Sequence, residues 1–295
     1  MKSKTAKIEK NEQKSYSIFH LKKKTPTEVV SNDKKIETIA ADTQKPRRSR
    51  KEKVLRTVGY TILMLLWVHA SLIASQFITA FLIKYLAPSN LWQSAADGGK
   101  ELNAVGMTIY SAVAYIFCVA LSIFVPWLIL KNKTTRDELG LRGLPTWTDL
   151  LLAPIGFILF MLVTVFVMAL MRALLPGINW DQTQDVGYNS LVGGGDKILA
   201  FIALVVIAPV AEETIFRGWL YGKLRVRMPA LPAMLAVSAL FGFVHGQWNV
   251  GVTVFVMSLA MCTLRELTGT IWAGMLVHMI KNGVAFYFLF INPIV

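Results

Sequence analysis

The chain has 295 residues, 54% of them apolar and only 17% charged, with a mean hydropathy of +0.50. Soluble domains carry about 25% charged residues, so this composition excludes an ordinary globular enzyme. The formal net charge of +13 is no nucleic-acid signature either: residues 1–56 hold 17 Lys and Arg against 7 Asp and Glu, and everything beyond is sparsely charged.

Residues 1–52 mix Lys, Glu, Ser, Thr and Gln without sustained periodicity, a composition expected to stay disordered. They do not read as a cleavable leader, which would need a short apolar core. The basic cluster Lys45, Arg47, Arg48, Arg50, Lys51, Lys53 and Arg56 sits directly before the first apolar run. There it fixes orientation and offers a surface to anionic lipid.

From residue 53 to 295 the expectation is an all-α, polytopic transmembrane bundle. Thr57–Ile83, Leu102–Leu130 and Leu150–Met171 contain no Asp, Glu, Lys or Arg, and each exceeds the ~20 residues that cross a bilayer. Ile198–Gly222 begins as an apolar helix but carries Glu212, Glu213 and Arg217. Met228–Leu264 is uncharged and long enough for two short helices, with the turn expected over Gly246–Gly251. Leu267–Ile291 is the last span, interrupted by Lys281 and Asn282. This makes seven spans, with eight as the alternative. Cys118 and Cys262 both lie in apolar runs and read as small buried hydrophobes.

Basic residues near span ends set orientation. With the tail inside, fifteen fall on the cytoplasmic side and four opposite (Lys84, Lys100, Arg172 and Lys197). The protein is therefore expected in the cell membrane, multi-pass, with a cytoplasmic N-terminus.

Ionisable residues within spans are costly and point to function or to a partner. Glu213 and Arg217 are i and i+4 on a helix, the spacing of an ion pair, which leaves Glu212 unpaired about 100° around the axis. Pro209 removes a backbone hydrogen bond just before the carboxylates and should bend the helix. Phe241 and His245 share a face, and Gly242 with Gly246 offers a small-residue surface for helix contact. His278 and Asn282 again sit i,i+4. His20 and His69 lack such company and read as structural or incidental. Two carboxylates, an Arg, two His and an Asn cannot all face lipid, so they must converge on a bundle interior or hydrated cavity. A carboxylate beside an imidazole polarises a water, and a second imidazole with an amide N–H stabilises an oxyanion, so the set suits amide hydrolysis.

The motifs Glu212-Glu213-Thr-Ile-Phe-Arg217, Phe241-Gly-Phe-Val-His245 and His278-Met-Ile-Lys-Asn282, on successive helices, resemble the CAAX-protease and bacteriocin-processing (CPBP, or Abi) intramembrane peptidases. That family includes the type II CAAX prenyl endopeptidases. The flanks are similar too, including Pro209, Trp272-Ala-Gly and the loop Glu138-Leu-Gly-Leu-Arg142, so the resemblance covers about residues 130–290. It implies an intramembrane endopeptidase in which Glu212 activates water with help from His245. His278 and Asn282 would hold the oxyanion, and Glu213 and Arg217 would support the site. No metal or other cofactor is expected.

Other readings stay open at this point. Glu212, His245 and His278 form a known type of zinc set, although no HExxH helix is present. A non-catalytic scaffold or immunity protein would also keep a polar core. A transporter would show internal repeats, and none is seen. The expected partners are membrane lipid and a protein or peptide substrate, lipid-modified or not, with no nucleic acid. Depth poses a puzzle: Glu212 falls near mid-helix and His245 nearer the outer side, a gap that tilt or unequal helix lengths must close.

Overall fold

In hydrocarbon a backbone N–H or C=O finds its partner only within a helix or a closed barrel, and uncharged runs of the lengths seen here become helices. α1 (Arg50–Leu86) is 37 residues, about 55 Å of helix, with room to project beyond an apolar layer of about 30 Å. One stripe of it turns inward, Met64, Val68, Ser71, Ser75 and Thr79, while Leu63, Leu66, Phe77 and Phe81 face outward.

The computed structural model describes residues 49–95, 98–131, 133–182, 184–188, 191 and 193–293. The disorder expected of residues 1–52 falls on a segment of which 1–48 lie outside the described residues. Contacts divide the chain into Met1–Lys53 and Val54–Val295, and the helical bundle is the second of these. After α1 come α2 (Ala104–Ile129), α3 (Trp147–Leu174), α4 (Gly194–Arg225), α5 (Ala230–Phe243), α6 (Trp248–Thr268) and α7 (Trp272–Ile291). All but α5 are long and apolar enough to cross a membrane. The multi-spanning all-α architecture with seven helices is thus borne out among the described residues. α5 is the exception in length, 14 residues or about 21 Å.

Two local features differ from expectation. Between α1 and α2 the chain forms a two-stranded antiparallel hairpin, β1 (Trp92–Ser94) with β2 (Lys100–Leu102), in register Gln93↔Glu101. Three-residue strands give too short an alternation to stand out in a sequence. The turn after α5 occupies residues 244–247, so Gly251 lies inside α6 and Gly246, at φ +71°, makes the turn. The close helix contact is therefore Gly242 on Gly251. A Cβ at Gly242 would sit 2.7 Å from the Gly251 carbonyl oxygen, and one at Gly251 would sit 2.9 Å from that of Gly242.

Prolines shape the interior of two helices. The backbone widens to π geometry at Ala120–Phe124 in α2 and at Ile202–Ile207 in α4. These segments end two residues before Pro126 and Pro209 respectively, with Val125 N–H bonding the Ala120 carbonyl and Ala208 N–H the Ala203 carbonyl. A proline ring clashes with the carbonyl four residues back, and a π turn relieves that clash. Pro209 has no N–H to continue the pattern onto the next carbonyl, that of Leu204.

The core joins α3 to α7 through Phe160, Ile215, Leu220, Val237, Phe241, Met257, Met261 and Val277, all nearly or fully buried. At the end of the bundle shared by the 131–146 loop, the α4–α5 turn and the α6–α7 turn, Arg265 donates to the carbonyls of Leu139 (3.0 Å) and Glu138 (2.8 Å). Ile271 N–H meets the Gly140 carbonyl at 3.0 Å. The loop is thereby fastened under the helices that carry the polar residues.

Candidate active site

α4 supplies the carboxylates. Arg217 Nη1 donates to Glu213 Oε1 at 2.8 Å, and both side chains are essentially excluded from solvent, at 1% and 0% exposed. The guanidinium also lies 4.2 Å over the Phe241 ring, a cation–π contact that partly offsets its desolvation. This is the ion pair that the i,i+4 spacing predicts. The same Glu213 Oε1 lies 2.9 Å from Nδ1 of His278 on α7. A carboxylate oxygen only accepts, so Nδ1 carries the proton and Nε2 is turned toward Glu212, 3.8 Å from its Oε2. Glu212 itself, one position away on α4, is not in the Arg217 pair. Its Oε1 accepts a 2.6 Å hydrogen bond from the hydroxyl of Tyr115 on α2.

His245 lies just past the end of α5, with Nδ1 2.7 Å from the Phe241 carbonyl. That acceptor fixes the proton on Nδ1 and leaves Nε2 for the site. α5 stops after 14 residues, and His245, just beyond it, lines the same cavity as mid-helix Glu212. Asn282, one turn beyond His278, donates Nδ2–H to the Leu204 carbonyl at 2.8 Å. That carbonyl lies within the π segment before Pro209, so Pro209 both widens α4 and frees the acceptor that orients Asn282.

These side chains surround two adjoining spaces. The smaller, about 170 Å³, is lined by Glu212, His245, His278 and Asn282 together with Tyr115, Lys281 and Gln184. The larger, about 390 Å³, is lined by Glu212, His245 and Tyr115 and by His69, Ile73 and Gln76 of α1. The structure thus brings Glu212, His245, His278 and Asn282 to one cavity, with Glu213 and Arg217 buried behind it. Lys281, which interrupts the last apolar run, lines this cavity.

Four lining residues escaped sequence reasoning. Tyr115 has no charged or imidazole neighbour at i±3 or i±4 that would have flagged it, Gln76 sits beyond the pattern of α1, and Gln184 belongs to the α3–α4 loop. His69 was read as incidental, yet it lines the larger space. The α3–α4 loop is held in place by Tyr188, hydroxyl to hydroxyl with Thr108 at 3.1 Å, and by Asn249, which donates to the Gln182 carbonyl at 2.7 Å. Among the described residues, no group of three or more His, Cys, Asp and Glu side chains is arranged to hold a metal ion.

A membrane-embedded helical bundle whose buried carboxylates, imidazoles and amide converge on one cavity defines a multi-pass membrane protein with the makings of a hydrolytic centre. Residues 194–284 match the family model described as type II CAAX prenyl endopeptidase Rce1-like. That segment holds the three motifs whose resemblance to this family, one of CAAX-type proteases, was drawn from the sequence, and the match supports it. The match contains all six site residues predicted from sequence but none of Tyr115, His69, Gln76 and Gln184. The similar loop at Glu138–Arg142 also lies outside it. No curated protein and no solved structure matches the chain.

Proposed function

We propose that the protein is an intramembrane endopeptidase that hydrolyses a peptide bond of a membrane-associated, prenyl-modified protein or peptide, with Glu212 as the base that activates water. The observation carrying this reading is the convergence of Glu212, His245, His278 and Asn282 on one cavity, with Tyr115 gripping Glu212 Oε1. Tyr115 leaves Oε2 as the oxygen facing the cavity and His278. A water held there loses its proton to Glu212 as its oxygen attacks the carbonyl carbon. His245 Nε2, unprotonated when the ring is neutral, shares that proton and delivers it to the leaving amine as the C–N bond breaks. The negative charge that develops on the carbonyl oxygen is met by the remaining Asn282 Nδ2–H and by His278 Nε2 when that nitrogen is protonated. Glu213 and Arg217 fix the ring of His278. No step requires a metal ion. The prenyl-modified substrate class is carried by the family name alone, and the orientation with the tail of residues 1–52 in the cytoplasm rests on the basic span ends.

The test compares membrane peptides by mass spectrometry in cells carrying the wild type or Glu212→Gln. The amide keeps an acceptor for Tyr115, so the variant is expected to insert and fold normally while product peptides fall by about 10²–10⁴-fold, the range for losing a general base. Undiminished products from Glu212→Gln would overturn the assignment. Chelators are expected to leave cleavage unchanged. One tightly bound zinc per protein, with activity lost on its removal, would replace this mechanism with a metal-dependent one.

A further inference from the structure

α1 lies outside the matched segment, yet it forms one wall of the larger cavity. Opposite Glu212 and His245 it presents His69, Leu72, Ile73 and Gln76. Its ties to the rest of the bundle are few and discrete. Trp67 Nε1 donates to the Ser122 carbonyl at 3.3 Å, Tyr110 donates to Gln76 Oε1 at 2.7 Å, and Arg227 stacks over Tyr60 at 3.7 Å. His69 packs its ring 5.6 Å from that of Phe243, at the end of α5. Its Nδ1 is buried and has no hydrogen-bond partner among the described residues. A buried polar atom without a partner is uncommon and calls for an explanation. Here the atom belongs to a side chain that lines the cavity facing Glu212, and a turn of the ring is what would bring it to a ligand there.

Gln76 follows His69 by seven residues, which is two helical turns along the same face, or about 10.5 Å. Its Oε1 is held by Tyr110, which leaves the Nε2 hydrogens available to the cavity. An extended peptide advances about 3.3 Å per residue, so the two groups are spaced to meet backbone groups about three residues apart. A peptide crossing an apolar layer must satisfy each N–H and C=O or lose several kcal/mol per group, and this wall offers such partners beside Glu212.

We propose that His69 and Gln76 form a substrate-binding wall that holds the peptide in extended form along α1, with its scissile bond turned toward Glu212. This deepens the peptidase reading and rests on it. The test uses purified protein in lipid nanodiscs and a fluorogenic peptide ending in a farnesylated CAAX sequence. For His69→Phe, which keeps a ring against Phe243 but removes both nitrogens, KM is expected to rise about tenfold with kcat within about twofold, consistent with a lost binding contact rather than lost chemistry. Gln76→Ala is expected to raise KM less. Unchanged KM in His69→Phe would reduce His69 to a packing residue and overturn the proposal, as would a fall in kcat alone.

Seating is read separately, without turnover, by placing a photoreactive benzoylphenylalanine at Ile73 in the Glu212→Gln variant. A crosslink to the peptide that weakens on adding His69→Phe sustains the wall even if the peptide is not cleaved, in which case only the peptidase reading suffers. No crosslink, or one indifferent to residue 69, overturns the wall and leaves the assignment of Glu212 to its own test.

Discussion

Helix α4 carries two sets of ion pairs, and they do different things. Within the bundle, Glu213 and Arg217 are shut away from solvent and share their charge with His278 and the Phe241 ring. At the helix end, Lys223 pairs with Glu138 at 3.3 Å and Arg225 with Glu266 at 3.0 Å, and each pair has at least one member well exposed to solvent. The chemistry is the same and the surroundings are not. The interior pair holds a histidine in one orientation and cannot lose a member without stranding a charge. The end pairs, with Arg265, fasten a loop that water could also solvate.

The sharpest way to break this contrast is Arg217→Leu. Glu213 then keeps only His278 as a partner in a site with no solvent. A cost of about 3–5 kcal/mol is expected, the usual penalty for breaking a buried pair, read as a large fall in the thermal unfolding midpoint in detergent. Adding Glu213→Gln removes the stranded charge and should recover part of that stability, though not the activity. A midpoint unchanged in Arg217→Leu would show that the interior pair contributes nothing beyond its neighbours.

Tyr115→Phe separates structure from chemistry at the same cluster. It removes one short hydrogen bond to an ionised group, worth about 2 kcal/mol, or roughly 30-fold in kcat if Glu212 needs that grip to present Oε2. The phenyl ring preserves the packing, so stability should move by far less than in Arg217→Leu. At the other cluster, Arg265→Ala deletes the two bonds to the Leu139 and Glu138 carbonyls. The expected loss is about 1–2 kcal/mol, together with faster proteolysis within residues 131–146 and little change in kcat.

How much of this was open to sequence reading follows from the range of the interactions. The helices could be read because an uncharged run in a membrane has few alternatives, and the Glu213–Arg217 pair because i,i+4 spacing is local. The meeting of three motifs on one cavity followed from the cost of leaving them in lipid. The hydrogen bond from Tyr115 to Glu212 spans 97 residues and leaves no periodic trace. His69 looked incidental because its company lies on other helices. The turn after α5 was misplaced onto Gly246–Gly251 because both glycines signal a break. Only packing distinguishes the one at φ +71° from the one pressed against Gly242. Pro209 was expected to bend α4; that it also frees the Leu204 carbonyl for Asn282 needed both partners in view.

The smallest effect is the most telling for the contrast itself. Arg225 Nε lies 3.0 and 3.1 Å from the two Glu266 oxygens, a geometry that looks as firm as the interior pair. Glu266 nevertheless has a second donor, the Tyr221 hydroxyl at 2.9 Å, and it can take water where Arg225 leaves. Arg225→Ala should therefore cost less than about 1 kcal/mol, and that remainder should shrink further at about 1 M salt, where screening acts within a few ångströms. The loss in Arg217→Leu should be insensitive to salt, because no ion reaches it. If Arg225→Ala proved as damaging as Arg217→Leu, burial could not be what separates the two clusters, and the α4 end would have to be carrying strain that its geometry does not show.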